Sequence, residues 1–133
     1  MNNLKIAFQG ELGAYSELAA IKYFRVEITP LPCYTFEDIF VAVASGDATH
    51  GLLPIENSLA GSIHRNYDML LQNELEIVGE YYLRVSHCLM ALPGVELSQV
   101  RRVLSHPQAL AQCAKRLRQM QLVPIMEADT AGS

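Results

Sequence analysis

Lys5-Ile6-Ala7-Phe8-Gln9 is a short apolar run that stops at Gly10, as a buried strand would. Glu11-Leu12-Gly13-Ala14-Tyr15-Ser16 then leads into a stretch rich in Ala, Leu and Ile that reads as a helix over Ala14 to Phe24. A strand that runs through small and hydroxylated residues into a helix is the unit from which parallel α/β sheets are built. The same sequence of events recurs along the chain. Glu27 to Leu31 alternates weakly and predicts a strand ending around Pro30 and Pro32. Thr35, three residues before Asp38, predicts a capping box with Asp in the usual Glu position. Phe36, Ile39, Phe40 and Val43 follow at helical spacing, and Gly46 closes that helix.

Gly51 to Ile55 is the next expected strand, and Ile63, Tyr67, Leu70 and Leu71 predict the buried face of a following helix. Leu75 to Leu92 holds two stretches rich in Val, Ile, Leu and Tyr on either side of Gly79, so one long strand or two consecutive ones. Residues 93–99 read as an exposed connection. Val100 to Leu104 predicts a strand, and Leu110, Cys113, Ala114 and Leu117 predict the inward face of a helix whose Lys115, Arg116 and Arg118 are solvated. Val123 to Glu127 predicts a last short strand. The expected class is α/β with a largely parallel sheet. If there are two lobes, they divide near Leu75 to Arg84, giving approximate lobes 1–75 and 76–133.

The 133 residues suffice for roughly one domain. Half are hydrophobic, 18% are charged and the mean hydropathy is +0.14, which excludes a disordered tail. Ten Lys and Arg against fourteen Asp and Glu give a formal charge of −4, and the pI is near 5.5, so nothing makes a general electrostatic case for nucleic acid or an anionic membrane. Cys33, Cys88 and Cys113 are an odd count with no CxxC pair, which fits a reducing compartment. The start carries no secretory h-region, and no apolar run approaches the ~20 residues that span a bilayer. A soluble cytoplasmic domain is expected.

Four junctions gather polar residues where strands meet helices: 10–16, 54–62, 105–108 and 129–133. In open α/β sheets, ligands bind outside the carboxyl ends of strands. Backbone N–H groups of a first helical turn favour a carboxylate or phosphate there. No Lys or Arg lies inside any of the four clusters, and Arg65 lies three residues from one of them. The pattern suggests a small anionic ligand held by backbone dipoles and neutral side chains. The plainer alternative is that Ser105 and Thr130 are ordinary helix N-caps.

Other constellations carry less. Gly10 and Gly13 lack the full G-x-G-x-x-G spacing, there is no G-x-x-x-x-G-K-[ST], and no G-x-S-x-G elbow supports a hydrolase. His50, His64, His87 and His106 have no metal-ligand spacing, so no metal is expected. His87 reads as a satisfied core or face residue, and the Tyr81-Tyr82 pair as sheet packing.

Three blocks carry a resemblance. Gly10-x-x-Gly13-x-Tyr15-Ser16, then Leu53-Pro54-Ile55-Glu56-Asn57-Ser58-x-x-Gly61 with Asp68-x-Leu70, then Ser105-His106-Pro107-Gln108-Ala109-Leu110-x-Gln112-Cys113 resemble prephenate dehydratase, in that family's order and separations. Thr130-Ala131 resembles the start of its next turn. The resemblance implies a two-lobed α/β fold similar to type II periplasmic binding proteins, with substrate in the cleft and the second lobe incomplete in this chain. It implies conversion of prephenate to phenylpyruvate, water and CO₂ in phenylalanine biosynthesis, without a cofactor. Aromatisation drives loss of the 4-hydroxyl with the ring carboxylate, so the protein supplies orientation and a proton donor. A strong cation at that carboxylate would oppose decarboxylation.

Carried over residue by residue, the resemblance implies catalytic roles for Asn57, Ser105, Gln112 and Thr130, and substrate binding by Tyr15, Ser16, Glu56 and Ser58. His106 and Pro107 shape a turn. Glu56 is protonated, tied into a hydrogen-bond network, or away from the dianion. The chain reaches Ser133 without the family's Thr-Arg-Phe motif, whose Thr is regarded as central to catalysis, and without an ACT domain. It is therefore expected to be the N-terminal part of a larger dehydratase. Uncovered apolar surface would then favour a homo-oligomer. Arogenate as substrate, and a non-catalytic small-anion binding lobe, remain the alternatives.

Overall fold

The computed structural model describes residues 4–59 and 61–133, which divide into two compact units, one up to Arg84 and one from Val85 to Ser133. In the first, β1 (Leu4–Gln9), β2 (Ile28–Cys33) and β3 (His50–Leu52) form a parallel sheet in the order β2-β1-β3. Helices α1 (Tyr15–Phe24) and α2 (Phe36–Ala44) make the two crossovers. β1 is central, so Ile6, Ala7 and Phe8 are buried on both faces, as the unbroken apolar run predicts. Ala7 packs with Ile39, Ala42 and Ala48, and Leu31, Phe36 and Val43 close around them. The capping box is present: Thr35 Oγ1 accepts from the Asp38 N–H and the Asp38 carboxylate accepts from the Thr35 N–H. Such a cap contributes about 1 kcal/mol.

β2 continues through Pro30 and Pro32 to Cys33 rather than ending at them. Cys33 turns its carbonyl to the β1 side, where the Gly10 N–H donates at 3.0 Å. Thr29, Leu31 and Cys33 therefore face the ladder, and the prolines turn their missing donors outward from an edge strand.

β3 stops at Leu52, before Pro54, so the strand expected through Ile55 is shorter. A two-residue antiparallel ribbon follows, β4 (Glu56–Asn57) with β5 (Gly61–Ser62), where the sequence had suggested a direct junction. Helix α3 (His64–Gln72) then presents the expected face only in part, with Ile63 and Leu70 half-buried. Asn66 and Met69 are buried, whereas Tyr67 is 42% and Leu71 87% exposed. The Pro54 carbonyl explains the rotation: Asn66 Nδ2 donates to it at 2.7 Å, and a partly buried acceptor outranks an apolar stripe.

Arg65 of α3 pairs with Glu37 of α2 on the surface. The Glu37 carboxyl is held below the ordinary carboxylate range by its own backbone N–H and then by Arg65. Its contribution is present above that range and fades as pH falls through the lowered value; exposure to solvent keeps it small.

Residues 75–92 form no strand, against expectation. Their apolar side chains alternate, but a strand exists only where a neighbour completes its ladder, and none of the described strands pairs with them. Gly79 passes directly over the Tyr23 ring, where a Cβ would collide, and Tyr81 meets that ring edge-on with centroids 6.3 Å apart. Tyr82 is exposed, so the tyrosine pair does not pack a sheet together.

In the second unit, a 3-10 turn at Leu97–Gln99 interrupts the expected connection. β6 (Arg102–Ser105) and β7 (Val123–Met126) then pair in parallel across α4 (Pro107–Gln119). Leu110, Leu117 and Leu122 form the core with Val100, Val103, Cys113 and Met120, matching the predicted helix face, and Lys115, Arg116 and Arg118 are exposed. No helix among the described residues is long and apolar enough to cross a membrane.

Candidate active site

In the first unit, β1 and β3 are parallel neighbours, so the chain leaves both at the same carboxyl edge. From β1 come Gly10 and Gly13, both at positive φ (117° and 89°), which bend the backbone into α1 and bring Tyr15 and Ser16, half-buried, onto its first turn. From β3 come Glu56, Asn57 and Ser58. Asn57 is half-buried and its Oδ1 accepts from the Leu59 N–H at 3.0 Å, so its side-chain oxygen is committed to the turn. Glu56 and Ser58 are exposed. Gln9, at the end of β1, donates to the Tyr34 carbonyl at 3.4 Å; its place on this edge was visible in the sequence, but nothing in its pattern marked it.

The helix starts are less open to an anion than the sequence suggested. Glu17 Oε2 accepts from the Gly13 N–H at 2.6 Å, so a carboxylate of the chain itself already sits at the start of α1. At α4 the cap is His106, whose Nδ1 accepts from the Gln108 N–H at 3.1 Å, with Pro107 at the first helical position. His106 and Pro107 thus shape the turn, as expected.

Ser105 is not the N-cap of α4, a place His106 takes. Ser105 is the last residue of β6 and is buried, and its Oγ donates to Thr130 Oγ1 at 3.1 Å. Glu127 N–H donates to the Ser105 carbonyl at 2.9 Å, which carries the chain from β7 toward that contact. Beyond it, Asp129 accepts from the Gly132 N–H and from the Ser133 hydroxyl, fixing the turn around Thr130. The result is two hydroxyls in series at the carboxyl edge of β6 and β7. Accepting from Ser105 polarises the Thr130 O–H, and Thr130 is exposed. Gln112 is half-buried on α4, and its Oε1 lies 2.8 Å from His87 Nε2, a contact across 25 residues that spacing could not reveal.

In each unit taken by itself, the side chains singled out at the strand ends, Glu56 apart, are neutral hydroxyls and amides. Burial first, and then the Asp38 charge, push the Cys33 thiol upward, which keeps it protonated and a poor nucleophile. Among the described residues no three His, Cys, Asp or Glu gather as a metal would require.

The family model for prephenate dehydratase matches residues 6–133. The chain belongs to the prephenate dehydratase family. It is 52% identical over 134 residues to arogenate dehydratase/prephenate dehydratase 6, chloroplastic, of Arabidopsis thaliana, covering 99% of this chain and 32% of that protein. The chain thus spans about a third of the length of the curated relatives it matches. Among solved structures it is similar to the prephenate dehydratase of Arthrobacter aurescens in complex with L-Phe, with a TM-score of 0.85 at 28% identity over 97% of this chain and 44% of that one. It is also similar to GqqA, described as a novel type of quorum quenching acylase, with a TM-score of 0.87 at 44% identity over 96% and 46%.

Proposed function

We propose that this chain is part of a prephenate dehydratase, with the fold of type II periplasmic binding proteins, and that it takes part in the decarboxylating dehydration of prephenate to phenylpyruvate. The observation that carries this reading is the Ser105–Thr130 hydroxyl relay on the strand ends of a prephenate dehydratase family member. As the ring carboxylate departs as CO₂, its bonding pair enters the ring. The C4–O bond breaks, and the leaving hydroxyl gains a proton to become water. Thr130 suits transfer of that proton, regaining one from Ser105, which solvent in turn reprotonates, while the amide N–H of Gln112 suits a hydrogen bond that stabilises charge on the departing oxygen. Asn57 and Ser58, with Tyr15 and Ser16, suit the orientation of a carboxylate. Glu56, exposed and acidic, repels a dianion and fits a place at the margin.

Ser105 is not placed as an acylase nucleophile would be, because such a serine donates to a base and Ser105 donates to a threonine.

The test is a titration of the isotope-labelled chain with prephenate, followed by NMR. Shifts concentrated at Tyr15, Ser16, Asn57, Ser58, Ser105, Gln112 and Thr130 support the reading; saturating ligand that leaves these signals unmoved contradicts it. The proposal extends to self-association, supported by exposed apolar side chains such as Leu71 and Met90. Sedimentation equilibrium showing only monomer would remove that part. It also includes a reducing, cytoplasmic setting, supported by three free thiols and checked by cell fractionation.

A further inference from the structure

We infer that His87 is a positioning residue for Gln112: it holds the carboxamide so that its two N–H donors turn away from the ring. The inference rests on the reading of Gln112 as a donor to substrate. A carboxamide is ambiguous, since one end donates and the other accepts, and rotation by a half-turn exchanges them. Beside an anion, or an oxygen gaining negative charge, only the donor end helps and the carbonyl end repels. One contact bears on the choice. Gln112 Oε1 lies 2.8 Å from His87 Nε2; a carboxamide oxygen can only accept, so the proposal places the amide oxygen on this side and a proton on Nε2. The oxygen is thereby held against the ring, and the planar geometry directs the N–H₂ group to the opposite side.

The surroundings make this arrangement effective. Both side chains are half-buried, so solvent competes less for the bond than it would at a surface. Gln112 stands on α4, whose neighbours Leu110, Cys113 and Leu117 are fixed in the core. His87 comes from residues 85–92, which form neither helix nor strand, so its place depends on side-chain contacts such as this one. The sequence shows His87 only as a histidine beside a cysteine in an apolar stretch. Its partner, 25 residues on, gives it a role.

The first measurement is the tautomer of His87 in the unmodified chain, from long-range proton–nitrogen correlations. The expected ring carries a proton on Nε2; a ring protonated on Nδ1 with a bare Nε2 would mean that the amide is reversed, and would overturn the proposal. The second uses variants. His87→Phe keeps a ring but removes the donor, while His87→Gln places an N–H close to where Nε2 stood. Core amides of Leu110 and Leu117 report whether each variant folds. In the polypeptide that turns prephenate over, His87→Phe should lower kcat about tenfold with little change in KM, and His87→Gln should restore most of it. Unchanged kcat in His87→Phe, where Gln112→Ala is impaired, overturns the positioning role. An Nε2–H tautomer in a protein with no prephenate turnover instead overturns the functional reading, and the proposal falls with it.

Discussion

Phe8→Ala is expected to lower the unfolding free energy of the first unit by about 3–5 kcal/mol, measured by urea denaturation followed by circular dichroism. Phe8 lies on the central strand, paired with Pro32 on one side and Leu52 on the other, and no part of it reaches solvent. Truncation removes its transfer free energy and leaves a cavity that flanking strands cannot close without breaking register. Domains of this size hold only about 5–15 kcal/mol in all, so the loss is a large share of the total. Tyr34→Ala is the control, because Tyr34 is exposed and its removal should stay within about 0.5 kcal/mol. Equal effects at the two positions would mean that β1 is not the centre of the sheet.

Gln112→Ala is expected to do the reverse, leaving stability nearly intact while lowering prephenate turnover roughly 100- to 1,000-fold, the usual cost of one donor to developing oxyanion charge. Alanine is the best helix former, and Gln112 lies off the Leu110–Leu117 core of α4, so the helix survives. Gln112→Glu sharpens the argument. It keeps an oxygen to accept from His87 but loses the N–H donors and adds a negative charge facing a dianion. Turnover of Gln112→Glu should therefore be at least as low as that of Gln112→Ala. A Glu variant that retained activity would show that donation is not what Gln112 supplies.

The parts of the fold legible in the sequence are those set by local chemistry. The apolar run at Lys5 to Gln9, the Thr35–Asp38 box and the Leu110–Leu117 stripe each depend on residues within a few positions of one another, and each is present. What periodicity missed was set by partners far along the chain. The facing of α3 turns on one amide meeting the Pro54 carbonyl, and hydrophobic spacing carries no record of that bond. Residues 75–92 look like a strand because their composition suits one, but composition cannot supply the neighbouring ladder. The prolines of β2 read as an end because a proline removes a donor, and only the edge position shows that the donor was not needed.

The same division runs through the candidate site. The polar junctions were legible as places, since strand ends and helix starts locate themselves. Their internal wiring was not. Ser105, for which a cap was the plainer alternative, is a donor to Thr130, while His106, one residue on, does the capping. Glu17, a residue of no apparent interest in sequence, occupies the first turn of α1 where an anion was expected.

The central claim, that these residues serve the dehydration of prephenate, is tested most directly by product formation. A polypeptide of the length its relatives have, carrying this sequence, would be assayed for phenylpyruvate from prephenate against an enzyme-free blank, with phenylalanine from arogenate measured in parallel. The account predicts phenylpyruvate well above the blank. Turnover of arogenate alone, or of neither compound, would contradict it.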